Sequence, residues 1–188
     1  MSNFTGQDKE IYVFVGEKIE VKEFQPKEML MDRAFKAKYR ILEQVYGRLN
    51  LDVIAFEAYD HYGIPPFSNY KHVLLYVVKI DGKFYHSKYQ YSALYKTKGG
   101  EWAGTYALYD YNHIYNEHTT IEPVKIDFEP AVEFDLSKYR KEMSKDLFPE
   151  PYFEINGDKA TAVYGHYIED LFQLKKNGVL KARGYFFP

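Results

Sequence analysis

The turn that begins at Asp60 is a place where neighbouring side chains could do acid–base chemistry. A carboxylate can orient an imidazole, whose pKa near 7 lets it accept and donate protons. Adjacent strand residues point to opposite faces, so Asp60 can orient His61 only within a turn. We favour a strand end that Asp60 caps and Gly63 shapes. Asp60 and His61 are the candidate catalytic residues of an enzyme alternative.

A set of potential metal ligands lies further along the chain, at His113, Glu117 and His118. Imidazole and carboxylate groups together suit zinc or another divalent ion. Because the two histidines are five positions apart, they point to opposite sides of a strand and about 140° apart on a helix. Only a loop would bring them together, with Asp110 or the earlier Asp-His pair completing the set. We expect solvated loop histidines instead, so a divalent metal is not favoured and the cofactor stays undetermined.

Aromatic residues are unusually abundant, since 20 Tyr, 14 Phe and 1 Trp make up 19% of the chain. Four of the tyrosines alternate along one β-like stretch, which predicts that they pave one face of a sheet: Tyr85, Tyr89, Tyr91 and Tyr95. The aromatic residues after Gly99-Gly100 do not alternate, so we expect them on a surface that could stack against a sugar or another flat ligand. The candidate ligand-binding residues are Trp102, Tyr106, Tyr109, Tyr111, Asn112 and Tyr115.

The charge balance gives the chain no overall attraction for polyanions. Twenty-five basic residues against 27 acidic residues leave a formal net charge of −2. A basic sheet face beside aromatic rings can hold single-stranded nucleic acid, and the residues that could form one are Lys36, Lys38, Arg40, His86 and Lys88. These five residues are few for a nucleic-acid site, and their charges could equally complement the acidic segment 101–135. Nucleic acid is therefore not expected as a partner.

Hydrophobic alternation through the first hundred residues predicts β-strands. Residues 11–24 alternate, and Glu17 breaks their apolar row beside Gly16, which predicts a bulge or tight bend. Residues 72–80 are apolar on both faces and predict an interior strand, and Asp81-Gly82 predicts a hairpin turn after it. Further strands are predicted at 35–41, 53–59 and 83–96. Five antiparallel strands in succession favour a meander that curls into a partial barrel.

The second half of the chain is less regular. A strand is predicted at 131–136, followed by a short helix that Ser137 caps. Residues 159–165 fit either a strand or the start of a helix. A helix is predicted from His166 to a left-handed cap at Gly178, and residues 179–187 fit a final strand or packed tail.

These elements predict an α+β fold in a single domain spanning 1–188, which suits a chain of 188 residues and 22.3 kDa. The fold is expected to be a predominantly antiparallel β meander or partial barrel of five or more strands. One or two helices are expected in the C-terminal third. Strand order and oligomeric state cannot be derived from these patterns.

The sequence contains no cysteine, which removes disulfides and thiolate chemistry but leaves the cellular compartment open. The first ten residues lack the basic and apolar parts of a signal peptide, and no apolar run approaches the ~20 residues of a spanning helix. We therefore expect a soluble protein with no membrane insertion. Its location is cytoplasmic by default, and secreted or envelope-located if a leader has been removed.

The leading functional expectation is a non-catalytic ligand-binding or protein-interaction module that uses the aromatic, acidic segment from Trp102 to His118. Large rings in loop-like sequence are typical of recognition surfaces, and a small molecule, a carbohydrate or a protein could be the partner. The alternative is a hydrolase-like enzyme, metal-dependent or not, that uses the Asp and His residues. Motifs for phosphate loops, zinc proteases, nucleophile elbows and dinucleotide binding are absent from the sequence.

Overall fold

The structure, a computed structural model, describes residues 10–27 and 31–186. The chain divides into two compact units, Met1–Tyr91 and Ser92–Pro188, named here the first and second units. This division does not test the expectation that residues 1–188 form a single domain, which stays a prediction.

The first unit is built around a closed barrel of five strands in the order β1-β2-β3-β5-β4. The strands are β1 Glu10–Phe24, β2 Arg33–Tyr46, β3 Val53–Asp60, β4 His72–Ile80 and β5 Lys83–Ala93. The predicted α+β fold with a predominantly antiparallel sheet is confirmed. The strands are not paired in simple succession, however, because β5 lies between β3 and β4. Its contact with β3 is parallel, where Glu57 pairs with Tyr85.

The barrel interior is filled by aromatic and branched side chains. A 3₁₀ helix, Pro66–Asn69, connects β3 to β4 and buries Phe67 completely. The Phe67 ring centroid lies 6.0 Å from those of Tyr39 and Phe56 and 4.5 Å from that of His86. Because its imidazole packs against Phe67, His86 does not contribute to the basic sheet face that the sequence analysis considered.

The bulge predicted near Gly16 is present, and β1 continues through it as one strand. The register of β1 on β2 shifts between Val15 and Gly16. A Cβ on Gly16 would lie 3.1 Å from both the Leu75 and Tyr39 side chains. Glycine therefore lets the bent strand pass close to the barrel core.

The described part of the second unit contains two small sheets and two α-helices. One sheet has the order β6-β7-β12-β8 and the other β10-β11-β9. The strands are β6 Tyr95–Lys96, β7 Trp102–Thr105, β8 Val124–Lys125, β9 Glu133–Asp135, β10 Phe153–Asn156, β11 Lys159–Ala162 and β12 Tyr164–Tyr167. The helices are α1 Lys141–Leu147 and α2 Ile168–Lys175, and α2 continues into a π-helical turn, Lys176–Leu180. No helix in the described ranges is long and apolar enough to span a membrane.

Local predictions for the second unit are partly wrong. Residues 159–165, which periodicity leaves open, lie in β11 and β12, except for Val163 between the two strands, and His166 lies in β12 rather than in a helix. Ser137 does not cap a helix; its backbone N–H and hydroxyl donate to Asp135 Oδ1 at 3.1 and 2.6 Å. Residues 179–187 are expected to form a final strand or a packed tail; of these two, the strand is absent from residues 179–186, where helical turns continue through Ala182, and residue 187 lies outside the described residues.

Strands β7 and β12 approach each other at two glycines. His166 pairs with Gly104, and Gly165 pairs with Thr105. A Cβ on Gly165 would overlap the carbonyl oxygen of Gly104. Because that oxygen belongs to the backbone, no side-chain rotation could relieve the collision.

We expect Gly165→Ala to lower the free energy of unfolding of the second unit by about 3 kcal/mol or more, because the paired backbones must separate. Gly157→Ala is the matched control. Gly157 has φ +60°, and a Cβ at this residue would have no atom within 4 Å, so that change should cost about 1 kcal/mol. Trp102, the single tryptophan, lies in β7, and its fluorescence during urea denaturation reports on this unit. Equal losses for the two variants would contradict the steric explanation.

Candidate functional site

A cleft of about 630 Å³, called here the rim cleft, opens at one end of the barrel. It is formed by residues just before β2, residues just after β3, and β5. The register brings the first two together, because Arg33 at the start of β2 pairs with Asp60 at the end of β3. The lining residues are Met31, Asp32, Tyr59, His61, Tyr62, Lys88 and Tyr89.

Asp32 is the centre of the charged groups in the rim cleft. Lys88 Nζ donates to Asp32 Oδ2 at 2.5 Å, and His61 Nδ1 lies 3.4 Å from Asp32 Oδ1. The hydrogen bond from Lys88 lowers the pKa of Asp32 from its usual value, with His61 contributing further. The same contact raises the pKa of Lys88. The Asp32–Lys88 pair therefore stays ionised around neutral pH.

Tyrosine rings surround these charges. Tyr62 is 87% exposed and Tyr89 is 41% exposed, and their ring centroids lie 6.2 Å apart. The Tyr62 ring also meets His61 edge-on at 5.3 Å, and Lys88 Nζ lies 5.2 Å from the centre of the Tyr89 ring. The rim cleft thus combines flat apolar faces with fixed polar groups.

Tyr59 forms a more rigid wall of the rim cleft. Its ring stacks on Tyr85, with centroids 6.4 Å apart, and its hydroxyl donates to Glu57 Oε2 at 2.6 Å. Burial first, and then the Glu57 carboxylate, raise the pKa of the Tyr59 hydroxyl. This hydroxyl remains protonated at physiological pH.

The backbone of Tyr89 does not follow the alternation that was predicted to place this tyrosine on one sheet face with Tyr85, Tyr91 and Tyr95. It has φ +66°, a left-handed conformation that costs a residue with a side chain about 1–2 kcal/mol. Tyr91 packs against the barrel core, 6.1 Å from the ring of Tyr70. The unusual backbone at Tyr89 interrupts the alternation and leaves its ring exposed at the rim cleft.

Asp60 plays the structural role that the sequence favoured. Its side chain is buried, and Oδ1 accepts a hydrogen bond from the backbone N–H of Tyr62 at 2.8 Å. The carboxylate nearest His61 is instead Asp32, which sequence reasoning missed. Asp32 is distant from His61 in sequence, and only the β2–β3 register brings the two together.

The predicted ligand-binding segment of the second unit divides into packed and exposed residues. Tyr106 stacks on Tyr152, with ring centroids 4.1 Å apart and planes at 16°. Trp102 lies in β7, with Lys96 Nζ 3.8 Å from its ring centre. Tyr111 is half-buried, and the exposed members of the predicted set are Tyr109, Asn112 and Tyr115. Part of this segment therefore serves the packing of its own unit.

The predicted metal ligands are not assembled. His113 Nδ1 accepts a hydrogen bond from the backbone N–H of Tyr115 at 3.2 Å, which caps the 3₁₀ helix Ile114–Asn116. Across residues 10–27 and 31–186, no group of three or more His, Cys, Asp or Glu side chains could hold a metal ion. His113, Glu117 and His118 consequently form no such group.

A buried polar network lies behind the predicted segment. The Tyr111 hydroxyl and His166 Nε2 are hydrogen-bonded at 2.5 Å, and His166 is fully buried. Burial lowers the pKa of His166, against the opposing influence of the Asp110 and Asp170 carboxylates. Asp110 in turn lies 3.4 Å from Lys175 Nζ, and both of these side chains are largely shielded from solvent. Sequence periodicity assigned His166 to a helix and gave no signal for this network.

In the comparisons with known proteins, no family model, no curated protein and no solved structure matches the chain.

Burial of His166 predicts that the second unit loses stability as the pH falls. The unfolded chain takes up a proton near the ordinary histidine pKa of 6.5, whereas folded His166 stays neutral to lower pH. The free energy of unfolding should therefore be lower at about pH 5.5 than at about pH 7.5. Urea denaturation followed by Trp102 fluorescence measures the difference.

The variant His166→Phe should flatten this pH dependence, because the group that titrates differently in the two states is gone. The control, His118→Gln, changes an exposed histidine of the same unit and should keep the slope. An unchanged slope in His166→Phe would show that other groups carry it. Should that variant fail to fold, His166→Gln offers a second check, since a neutral amide does not titrate and should flatten the slope as well.

Proposed function

We propose that this protein is a non-catalytic binding module whose ligand occupies the rim cleft. The ligand class we infer is a small polyhydroxylated molecule with a flat apolar face, such as a sugar. The observation that carries the proposal is the pair of exposed rings, Tyr62 and Tyr89, beside the hydrogen-bonded group of Asp32, Lys88 and His61.

The aromatic side of the cleft supports stacking. An exposed tyrosine ring offers a large apolar face together with a hydroxyl group that can stay in contact with water. The rings of Tyr62 and Tyr89 are tilted by 38° to each other, so they form an open platform rather than the parallel walls of a slot. A ligand covering this platform would remove apolar surface from water.

The polar side of the cleft supports recognition of hydroxyl groups. Asp32 supplies acceptor oxygens, while Lys88 and His61 supply nitrogen atoms beside them. Because Asp32 and Lys88 neutralise each other, the cleft presents paired donors and acceptors with little net charge. Such a surface favours a neutral hydroxylated ligand over a strongly charged one.

The strained backbone of Tyr89 is a further argument. Costly left-handed conformations in residues other than glycine concentrate at functional sites, where the side chain must take a particular direction. Here the conformation carries the ring of Tyr89 to the mouth of the cleft. A purely structural strand would favour glycine or asparagine at this position.

The barrel order supports a binding role in a general way. A closed five-stranded barrel with β5 between β3 and β4 resembles the oligonucleotide/oligosaccharide-binding barrels, although a fold alone does not define a ligand. Nucleic acid is less well supported than a sugar. Arg40 pairs with Glu17 at 2.9 Å and Lys88 pairs with Asp32 at 2.5 Å, so two charges of the predicted basic sheet face are already neutralised.

A second candidate function is hydrolysis with His61 as general base and Asp32 as the residue that orients it. The 3.4 Å separation of His61 Nδ1 and Asp32 Oδ1 favours this alternative. The described lining of the cleft contains no Ser, Thr or Cys nucleophile, so a water molecule would have to attack. The variant His61→Gln separates the two functions, since it would abolish hydrolysis of a bound glycoside while leaving much of the stacking intact.

We expect Tyr62→Ala to weaken binding at least about tenfold, because an exposed ring that stacks on a ligand is an interaction hot spot. The measurement is an NMR titration of the full chain with soluble oligosaccharides of glucose and of N-acetylglucosamine. Tyr109→Ala is the control, since Tyr109 is 68% exposed and lies in the second unit. Absence of any shift at the cleft with both oligosaccharides would contradict the sugar proposal, as would undiminished binding by Tyr62→Ala.

Tyr89→Gly should separate binding from stability. Glycine accepts φ +66° without strain, so the melting temperature should stay the same or rise, although the ring and its binding contribution are lost. We therefore expect at least about tenfold weaker oligosaccharide binding without loss of stability, measured by thermal denaturation and the same titration. A large fall in melting temperature would mean that Tyr89 is needed chiefly for packing.

A further inference from the structure

A second cleft, of about 540 Å³, lies within the second unit, between the loop after the 3₁₀ helix Ile114–Asn116 and the end of α2. It is called here the loop–helix cleft. We propose that it binds a small hydroxylated oxyanion, a molecule that carries a phosphate or carboxylate group together with hydroxyl groups. This site is independent of the rim cleft and of the function proposed for it.

The chemistry of the lining points to an anion. The surrounding segment, 101–135, holds eight carboxylates, yet no Asp or Glu belongs to the described lining of this cleft. The lining instead supplies an ammonium group, an imidazole, hydroxyls and carboxamides. The residues on which the proposal depends are His118, Thr119, Thr120, Gln173, Asn177 and Lys181. These groups can all donate hydrogen bonds to an oxyanion.

Lys181 is the source of positive charge. Its Nζ lies 5.6 Å from the centre of the Tyr115 ring, at the side of the cleft, and no carboxylate lies within ion-pair distance of it in the described part of the chain. A ring contact directs an ammonium group without neutralising its charge. The charge of Lys181 is therefore available to a ligand.

Neutral hydrogen-bonding groups near Lys181 are also unused. Within the ranges that the structure describes, the side chains of Gln173, Asn177 and Thr120 have no hydrogen-bond partner in the protein. Gln173 is half-buried, where an unpaired amide is more costly than on an open surface. Convergent polar groups of this kind at one cleft are typical of a small-molecule site.

The floor of the cleft is held rigidly by Asn116. Its Nδ2 donates to the carbonyl oxygens of Asp110 at 3.1 Å and Leu174 at 3.2 Å. Gly178 leaves room for it, because a Cβ there would lie 2.9 Å from Asn116 Nδ2. The loop and the π-helical turn are thereby fixed against each other, which lowers the cost of ordering a binding site.

Asn116 also supplies the reason for expecting hydroxyl groups on the ligand. It lines the cleft and is 95% buried, and its Oδ1 accepts no hydrogen bond from any described residue. Buried acceptors without a partner are uncommon and call for an explanation. A ligand hydroxyl that reaches the floor of the cleft would satisfy this oxygen while the anionic group binds Lys181.

The test is a ¹⁵N NMR titration of the full chain at constant ionic strength. The probes are glycerol 3-phosphate, glycerate, inorganic phosphate and glycerol, so that phosphate, carboxylate and hydroxyl contributions are separated. We expect saturable shifts at residues 115–121 and 173–181 with glycerol 3-phosphate or glycerate. Inorganic phosphate should bind more weakly because it cannot supply the hydroxyl, and glycerol alone should give no saturable shift.

Lys181→Gln should weaken the binding at least about tenfold, a typical effect of removing a charge-assisted contact. The matched control is Lys176→Gln, at the start of the π-helical turn that Lys181 follows, because Lys176 lies near the rings of Phe172 and Phe186 and does not line the cleft. Equal weakening by the two variants would indicate a general charge effect and overturn the site. So would the absence of saturable shifts for every anion tested.

Discussion

The candidate binding surface depends on the position of β5 within the barrel. Because β5 lies between β3 and β4, it brings Lys88 and Tyr89 beside residues that flank β2 and β3. A simple meander would place β5 at the outer edge of β4 and separate Lys88 from Asp32. The parallel contact between β3 and β5 is therefore the constraint that assembles a lysine, a carboxylate, an imidazole and several rings at one end of the barrel.

Buried polar residues serve the same purpose in the two units. In the first unit, the turn after β3 is fixed by buried Asp60, which frees His61 to face the rim cleft. In the second unit, Tyr111, His166 and Asn116 lie in hydrogen-bonded positions behind the exposed loop residues. Each exposed cleft is thus supported by a polar residue that is buried beneath it. This arrangement keeps the exposed groups in place without requiring them to stabilise the fold themselves.

Much of the first unit could be predicted because its strands have strong hydrophobic alternation. The bulge at Gly16 and the hairpin at Asp81-Gly82 followed from local rules, since their backbone geometry depends on the residues themselves. The pairing of β5 with β3 could not, because strand order depends on contacts between distant segments. Asp32 was missed for the same reason, as no local pattern links it to His61 or Lys88.

The second unit was harder to predict because its elements are short and tertiary contacts decide them. His166 begins an apolar stripe of helical spacing, yet pairing with β7 makes it part of a strand. The non-alternating rings from Trp102 to Tyr115 indicated an exposed surface. Tyr106 instead stacks on Tyr152, and the Tyr111 hydroxyl is hydrogen-bonded to His166. Exposure of an aromatic ring depends on such partners, which sequence spacing does not reveal.

The most direct test of this account is the pH titration of the Asp32 carboxyl group, followed by ¹³C NMR in the wild type and in Lys88→Gln. If β5 brings Lys88 to Asp32, the midpoint in the wild type lies below the ordinary aspartate value of 3.8 and rises when Lys88 is replaced. An ordinary midpoint that the substitution leaves unchanged would contradict the assembly of the rim cleft.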